Sequence, residues 1–278
     1  MTTIKQIQNH EKGMLKDISK VCDENGINYY LAGGTFLGAV RHKGFIPWDD
    51  DIDINLTMRD FHKLKKCCKT QLPGYYFWQD AWTDRNHHTV WAKLRDTKTV
   101  ICEMTNTGKK KGEGVYLDIF PMVYAAKSKK VLDFQMKVIY SYSYCVKNQQ
   151  KIKEMYSSSF LVKTFRIIRE LIIYRCGGQF LYWLMLLLQN KNSKKLLVLD
   201  ISFYDTYNEV SVSRAKRTMI HNEWLTPHYY EFCGEKLKSF SDYDSYMIDH
   251  FGDNYMTPIK QKERLHINLD NTIIPENN

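Results

Sequence analysis

Four aspartates fall within five residues, at Asp49, Asp50, Asp51 and Asp53, and the run Asp51-Ile52-Asp53-Ile54 alternates acid with isoleucine. Alternation at a period of two is strand patterning, so Ile52, Ile54 and Leu56 go to one face and Asp51 and Asp53 share the other. A solvated acidic loop is the ordinary home of a D-x-D pair, but flanking isoleucines of this kind seat the acids on a half-buried strand over Asp51–Leu56. Carboxylates so close repel one another at neutral pH unless cations compensate, and no Lys or Arg lies in the run. Any fold this chain adopts must bring positive charge to the strand, and one divalent cation can bridge Asp51 and Asp53.

The segment leading into the acids is shaped for anions. Tyr29–Ala32 reads as a short strand, Gly33 and Gly34 as a tight turn, and Thr35–Arg41 as a short helix. Adjacent glycines let backbone N–H groups point outward, and a helix starting there adds its positive end, a physical cradle for phosphate. Arg41, His42 and Lys43 follow, then Trp48 beside Asp49. A third carboxylate is needed to hold two metal ions in balance. Asp118, embedded in the apolar strand Val115–Phe120, is the best candidate; Asp80, Asp84 and Asp96 sit among turn residues and are weaker.

The wider pattern is that of an α/β (α+β) protein. Ile4, Ile7, Met14, Leu15, Ile18, Val21 and Cys22 recur at helical spacing up to a natural stop at Gly26. A helix over Met58–Cys68 follows the acidic strand, with Thr57 as its N-cap. Strands are expected at Tyr75–Gln79, Val90–Arg95 and Val115–Phe120, with turns over Asn106–Gly114. Beyond Pro121 come basic, aromatic helices at Val131–Tyr144, Phe160–Tyr174 and Phe180–Leu188. Residues 1–126 are read as a core, 127–200 as a basic helical insertion, and 201–278 as irregular structure and short helices packing back on the core.

Charge and cysteine usage exclude several classes. Residues 127–195 hold fourteen Lys or Arg against three acids, Asp133, Glu154 and Glu170, while the whole chain carries +9. The remainder is slightly acidic, which argues against nucleic acid as a partner and for one local basic surface. Seven cysteines without a C-x-x-C pair make no zinc site, and lysines, Glu11 and Asp17 scattered through the first twenty residues make no secretory signal. The apolar run Phe180–Leu188 is less than half of the roughly 20 residues a membrane span needs. A cytoplasmic protein is expected, with a peripheral contact at the inner membrane face through residues 127–195.

Gly33-Gly34-Thr35, Leu37-Gly38-Ala39-Val40-Arg41-His42, Gly44-Phe45-Ile46-Pro47-Trp48 and Asp49-Asp50-Asp51-Ile52-Asp53 together closely resemble the LicD family of phosphotransferases. Lys93-Leu94-Arg95-Asp96, Leu117-Asp118-Ile119-Phe120-Pro121 and Phe251-Gly252-Asp253 are similar to later landmarks of that family, over about residues 5–268, with 127–200 least alike. The resemblance implies a nucleotidyltransferase-type fold, a mixed sheet flanked by helices, with Asp51, Asp53 and Asp118 as metal ligands for one or two Mg²⁺ or Mn²⁺ ions. It also implies transfer of phosphocholine from CDP-choline to a sugar hydroxyl of a surface glycan, teichoic acid or lipid-linked polymer. CDP-ribitol, CDP-glycerol and nucleotide sugars are the alternative donors.

In that chemistry the Gly33, Gly34 and Thr35 amides, with Arg41, Lys43, Lys93 and Arg95, would meet phosphate oxygens. Asp118, Asp49 or Asp50 would take the acceptor proton. His42 and His266 are candidates to touch phosphate, and Trp48 to stack on a trimethylammonium group. A glycosyltransferase also uses D-x-D, but without a glycine pair seventeen residues upstream. An aspartate-nucleophile phosphatase would want Thr or Val where Asn55 stands. A catalytically silent scaffold for anionic polymer is the rival from another class, and the three intact acids argue against it.

Overall fold

The structure, a computed structural model, describes residues 3–84, 87, 90–104, 110–147, 177–199, 219–258 and 273–274. It has the helices and curled mixed sheet of an α/β protein. Residues 1–78, 93–121 and 223–278 form one compact unit, and residues 79–92 and 122–222 a second.

The first unit opens with α1 (Ile4–Glu24), started by a capping box in which the Gln6 N–H donates to the Thr3 hydroxyl and the Thr3 N–H to the Gln6 side chain. Its buried stripe runs from Ile7 through Met14, Leu15 and Ile18 to Cys22. Next come β1 (Tyr29–Leu31), α2 (Gly33–His42), β2 (Asp53–Thr57) and α3 (Met58–Gln71), then β3 (Tyr76–Gln79), β4 (Ala92–Asp96), β5 (Ile101–Met104), β6 (Lys110–Glu113) and β7 (Tyr116–Tyr124). Strand order is β1-β2-β7-β4-β3, with Tyr29 opposite Leu56 and Leu31 opposite Ile54 in an antiparallel pair. Thr57 caps α3 by accepting from the Asp60 N–H, as its hydroxyl predicts.

The chain returns to this unit with β10 (His228–Phe232), β11 (Glu235–Ser239) and α6 (Tyr243–Phe251). They wedge aromatic rings behind α2 and β1: Phe240 stacks on Tyr30 at 4.6 Å, and Tyr246 lies 5.3 Å from Phe36. In the second unit the end of β7 pairs antiparallel with β8 (Lys195–Val198), and β8 with β9 (Met219–His221); α4 (Lys129–Lys147) packs against α5 (Gly177–Leu188).

Several elements depart from the sequence reading. Pro121 does not end its strand: β7 runs on to Tyr124 and pairs with β8 over Met122–Tyr124. The expected turn over Asn106–Gly114 ends in β6, which pairs with β5. The expected irregular C-terminal segment holds the β10–β11 hairpin, turned at Cys233 and Gly234, both at positive φ. The helix expected over Phe160–Tyr174 lies outside the described residues.

Candidate active site

Helix α2 begins at Gly33 itself, so the two glycines form its first turn rather than a turn ahead of it. Gly33 has φ +51°, a left-handed value that costs a side-chain-bearing residue, and a Cβ there would lie 3.0 Å from the Asp53 Oδ2. A Cβ on Gly34 would come within 2.6 Å of the Asp49 Oδ2. Two carboxylates of the acidic run thus lie directly against the positive end of α2, and a side chain at either glycine would press on them.

The backbone around this contact is pinned. The Asp53 N–H donates to the buried Thr35 hydroxyl at 2.9 Å, and the Ala32 N–H to Asp53 O at 3.0 Å. The Gly33 N–H donates to the Tyr246 phenol oxygen at 2.9 Å. Thr35 and Gly33, read from sequence as phosphate ligands, therefore tether β2 and α6 to the helix start. Gly34 and Thr35 keep first-turn amides that have no carbonyl within the helix to serve.

From α1 the site receives two residues that the sequence reading did not single out. Gln8 donates to Asp49 O at 2.8 Å and to Ile46 O at 3.4 Å, holding the loop from Ile46 to Asp49. One turn on, Glu11 is 1% exposed and neither of its carboxyl oxygens has a hydrogen-bond partner. Burial, and then the fields of Asp51, Asp50, Asp49 and Asp53, raise its pKa well above the usual carboxylate range. Nothing but its place on the buried stripe of α1, where an acid is out of character, could have flagged it.

Asp51 precedes β2 and does not belong to it, yet the alternation holds: Asp51 and Asp53 are half-buried while Ile52 and Ile54 are fully buried. Asp50 is fully buried as well. Asp118 is brought alongside through its backbone bond to Ile52. Its carboxylate is 3.2 and 3.4 Å from the Lys93 Nζ, which itself lies 3.2 Å from the Tyr116 ring centroid. Arg95, two residues along β4, stands over the same ring and donates to Gly114 O. Lys93 thus brings positive charge from β4 to Asp118.

At the far end of α2, the Arg41 Nε donates to the His42 Nε2 at 2.9 Å and Arg41 also donates to Tyr255 O. Burial and the neighbouring guanidinium lower the His42 pKa, so its ring is neutral at pH 7 and able to accept that bond. Lys43 closes the helix at φ 56° with an exposed side chain, and its carbonyl accepts from the Cys233 N–H. Trp48 is half-buried, and His266 lies outside the described residues.

An all-oxygen donor set suits a hard divalent cation. Two like charges about 7 Å apart, the spacing of i and i+2 on a strand, repel by roughly 2 kcal/mol at an effective dielectric of about 20. A helix terminus returns about 0.3–2 kcal/mol. The run lies against the start of α2 and beside a buried Glu11, and its charge suits a divalent cation. The side chains do not form a closed ligand set as they stand: among the described residues no three His, Cys, Asp or Glu are gathered closely enough to hold a metal ion.

A helix start, an acidic strand and a lysine-arginine strand lie in one unit. The family model described as "LicD/FKTN/FKRP, nucleotidyltransferase domain" matches residues 26–167, and the chain belongs to this family. It is similar to the lipopolysaccharide cholinephosphotransferase LicD of Haemophilus influenzae, 25% identical over 257 residues that cover 88% of this chain and 89% of that protein. Human ribitol 5-phosphate transferase FKRP is 45% identical over 40 residues, 14% of this chain and 8% of that protein. An uncharacterised protein of Rickettsia prowazekii is 47% identical over 47 residues, 17% of this chain and 18% of its own.

Proposed function

We propose that the protein transfers phosphocholine, or a similar phospho-alcohol, from a CDP-activated donor to a sugar hydroxyl of a cell-surface glycan or teichoic acid. The observation that carries this reading is the seating of Asp49 and Asp53 on the first turn of α2, with the Lys93–Asp118 pair on the neighbouring strands. Similarity to a named cholinephosphotransferase over nearly nine-tenths of both chains supports the choice of choline. The shorter match to a ribitol 5-phosphate transferase keeps CDP-ribitol as the second donor to test.

Asp51 and Asp53, with Asp118, would hold Mg²⁺, which when bound neutralises charge on the donor's pyrophosphate. The chain's own residues supply the rest. The Gly34 amide and the cations Arg41, Lys43 and Arg95 bind equatorial phosphate oxygens and orient them for in-line attack. Lys93 either stays with Asp118 or turns to phosphate; in the second case Asp118 is freed to accept the acceptor's proton. The acceptor oxygen bonds to phosphorus, the bond from phosphorus to the CMP oxygen breaks, and the proton leaves to a carboxylate. The Thr35 hydroxyl, Tyr246 and Gln8 hold the backbone of the site in place.

Incubation with CDP-choline, CDP-ribitol, CDP-glycerol and a nucleotide sugar, read as CMP or other nucleotide release, tests the reading. Release from CDP-choline above the others supports it. Release from none of them, in protein shown to be folded, would move the assignment to a binding scaffold for anionic polymer.

A further inference from the structure

Helix α5 presents two different apolar faces. Leu181, Tyr182 and Met185 are buried, while Phe180, Trp183 and Leu187 are 56%, 63% and 80% exposed at i, i+3 and i+7. This is one continuous stripe on the outer side of the helix. No charged residue interrupts Gly177–Leu188, and twelve residues rise only about 18 Å. Among the described residues no helix is long and apolar enough to cross a membrane.

Charge surrounds the stripe on both sides in sequence. Exposed Lys191, Lys194 and Lys195 follow α5 directly, and exposed Lys127, Lys129 and Lys130 lead into α4, the helix packed against it. A large apolar stripe containing a tryptophan, flanked by lysines and lacking acids, complements a surface that is anionic outside and apolar within. A second protein copy offering the same lysines would instead repel.

We propose that α5 inserts its Phe180–Trp183–Leu187 face into the headgroup boundary of an anionic lipid bilayer, lying in the plane of the surface. The inference goes beyond the transfer reaction and does not depend on it. It would hold the protein where a lipid-linked acceptor is found.

The test uses the full chain floated with vesicles of phosphatidylglycerol and phosphatidylcholine, or of phosphatidylcholine alone, at low and high salt. The protein should float with the anionic vesicles at low salt and sediment in the other arms, since each lysine near such a surface is worth roughly five-fold in partitioning. The double variant Phe180→Ser, Trp183→Ser should lose at least about ten-fold in partitioning, by loss of two buried aromatic side chains, with an unchanged circular dichroism spectrum. Lys191→Glu with Lys194→Glu should lose it too. Failure of the native chain to float with anionic vesicles overturns the proposal. So does equal flotation of the serine variant, or a native dimer on light scattering that the serine variant dissolves without any vesicle binding.

Discussion

Replacing Glu11 by Gln should make the metal-free protein more stable at neutral pH, and by an amount that grows with pH. The carboxyl is 1% exposed, unpartnered, and faces Asp49, Asp50, Asp51 and Asp53, so the folded chain holds its proton where the unfolded chain, with a pKa near 4.5, has released it. A folded state that binds the extra proton loses ground as pH rises, with a slope of about 1.4 kcal/mol per pH unit. The loss begins near the unfolded value of 4.5 and continues until pH passes the raised folded value. Gln is nearly isosteric, does not titrate and removes that slope. Urea denaturation of both proteins in chelator, at intervals from pH 4.5 to 7.5, gives the difference between them and cancels the other carboxylates. The two should coincide near pH 4.5 and diverge above it, with the variant ahead. A difference that is flat in pH, or a variant less stable at pH 7.5, would refute the placement of an uncompensated acid beneath the loop.

Gly34→Ala should lower activity, because a Cβ at 2.6 Å from the Asp49 Oδ2 pushes that carboxylate off the helix start; CMP release reads the loss, and the midpoint of urea unfolding shows whether folding is spared. Lys93→Met removes the cation paired with the buried Asp118 carboxylate and should lower stability, whereas Lys93→Met with Asp118→Leu should recover part of that loss in a double-mutant cycle. Lys43→Gly relieves a left-handed backbone at a side-chain-bearing residue, so thermal stability should hold or rise while donor KM increases from loss of an exposed cation. His42→Asn should leave the pH dependence of the rate above pH 7 as it is in the native chain, as expected for a ring whose pKa burial and Arg41 hold below the ordinary histidine value.

Most of the site's ingredients were legible because they are local. Period-two alternation placed Asp51 and Asp53 opposite Ile52 and Ile54, and the glycine pair marked a close approach before any partner was known. What approaches the glycines was not legible. Asp49 and Asp53 lie against the helix start, a long-range contact that no local pattern encodes. Glu11, Gln8 and Tyr246 were missed for the same reason: each acts on the loop or helix start across 38 or more residues of sequence. The β10–β11 hairpin escaped because its turn is Cys233-Gly234, not the Asn-Gly or Asp-Gly pair that usually announces one. Pro121 misled because a proline lacks only its own N–H, and β7 continues past it to Tyr124.

The central claim is that a metal-dependent phosphotransfer site is built on Asp51, Asp53 and Asp118. The most direct measurement is CMP release from CDP-choline as a function of Mg²⁺ concentration for the native chain and for Asp51→Ala, Asp53→Ala and Asp118→Ala, each with Mg²⁺-induced thermal stabilisation recorded alongside. The account predicts release that saturates with Mg²⁺ in the native chain, falls at least about a hundred-fold in every variant, and is accompanied by a loss of Mg²⁺-induced stabilisation in Asp51→Ala and Asp53→Ala. Release that is indifferent to Mg²⁺, or that survives in Asp51→Ala and Asp53→Ala, would contradict it.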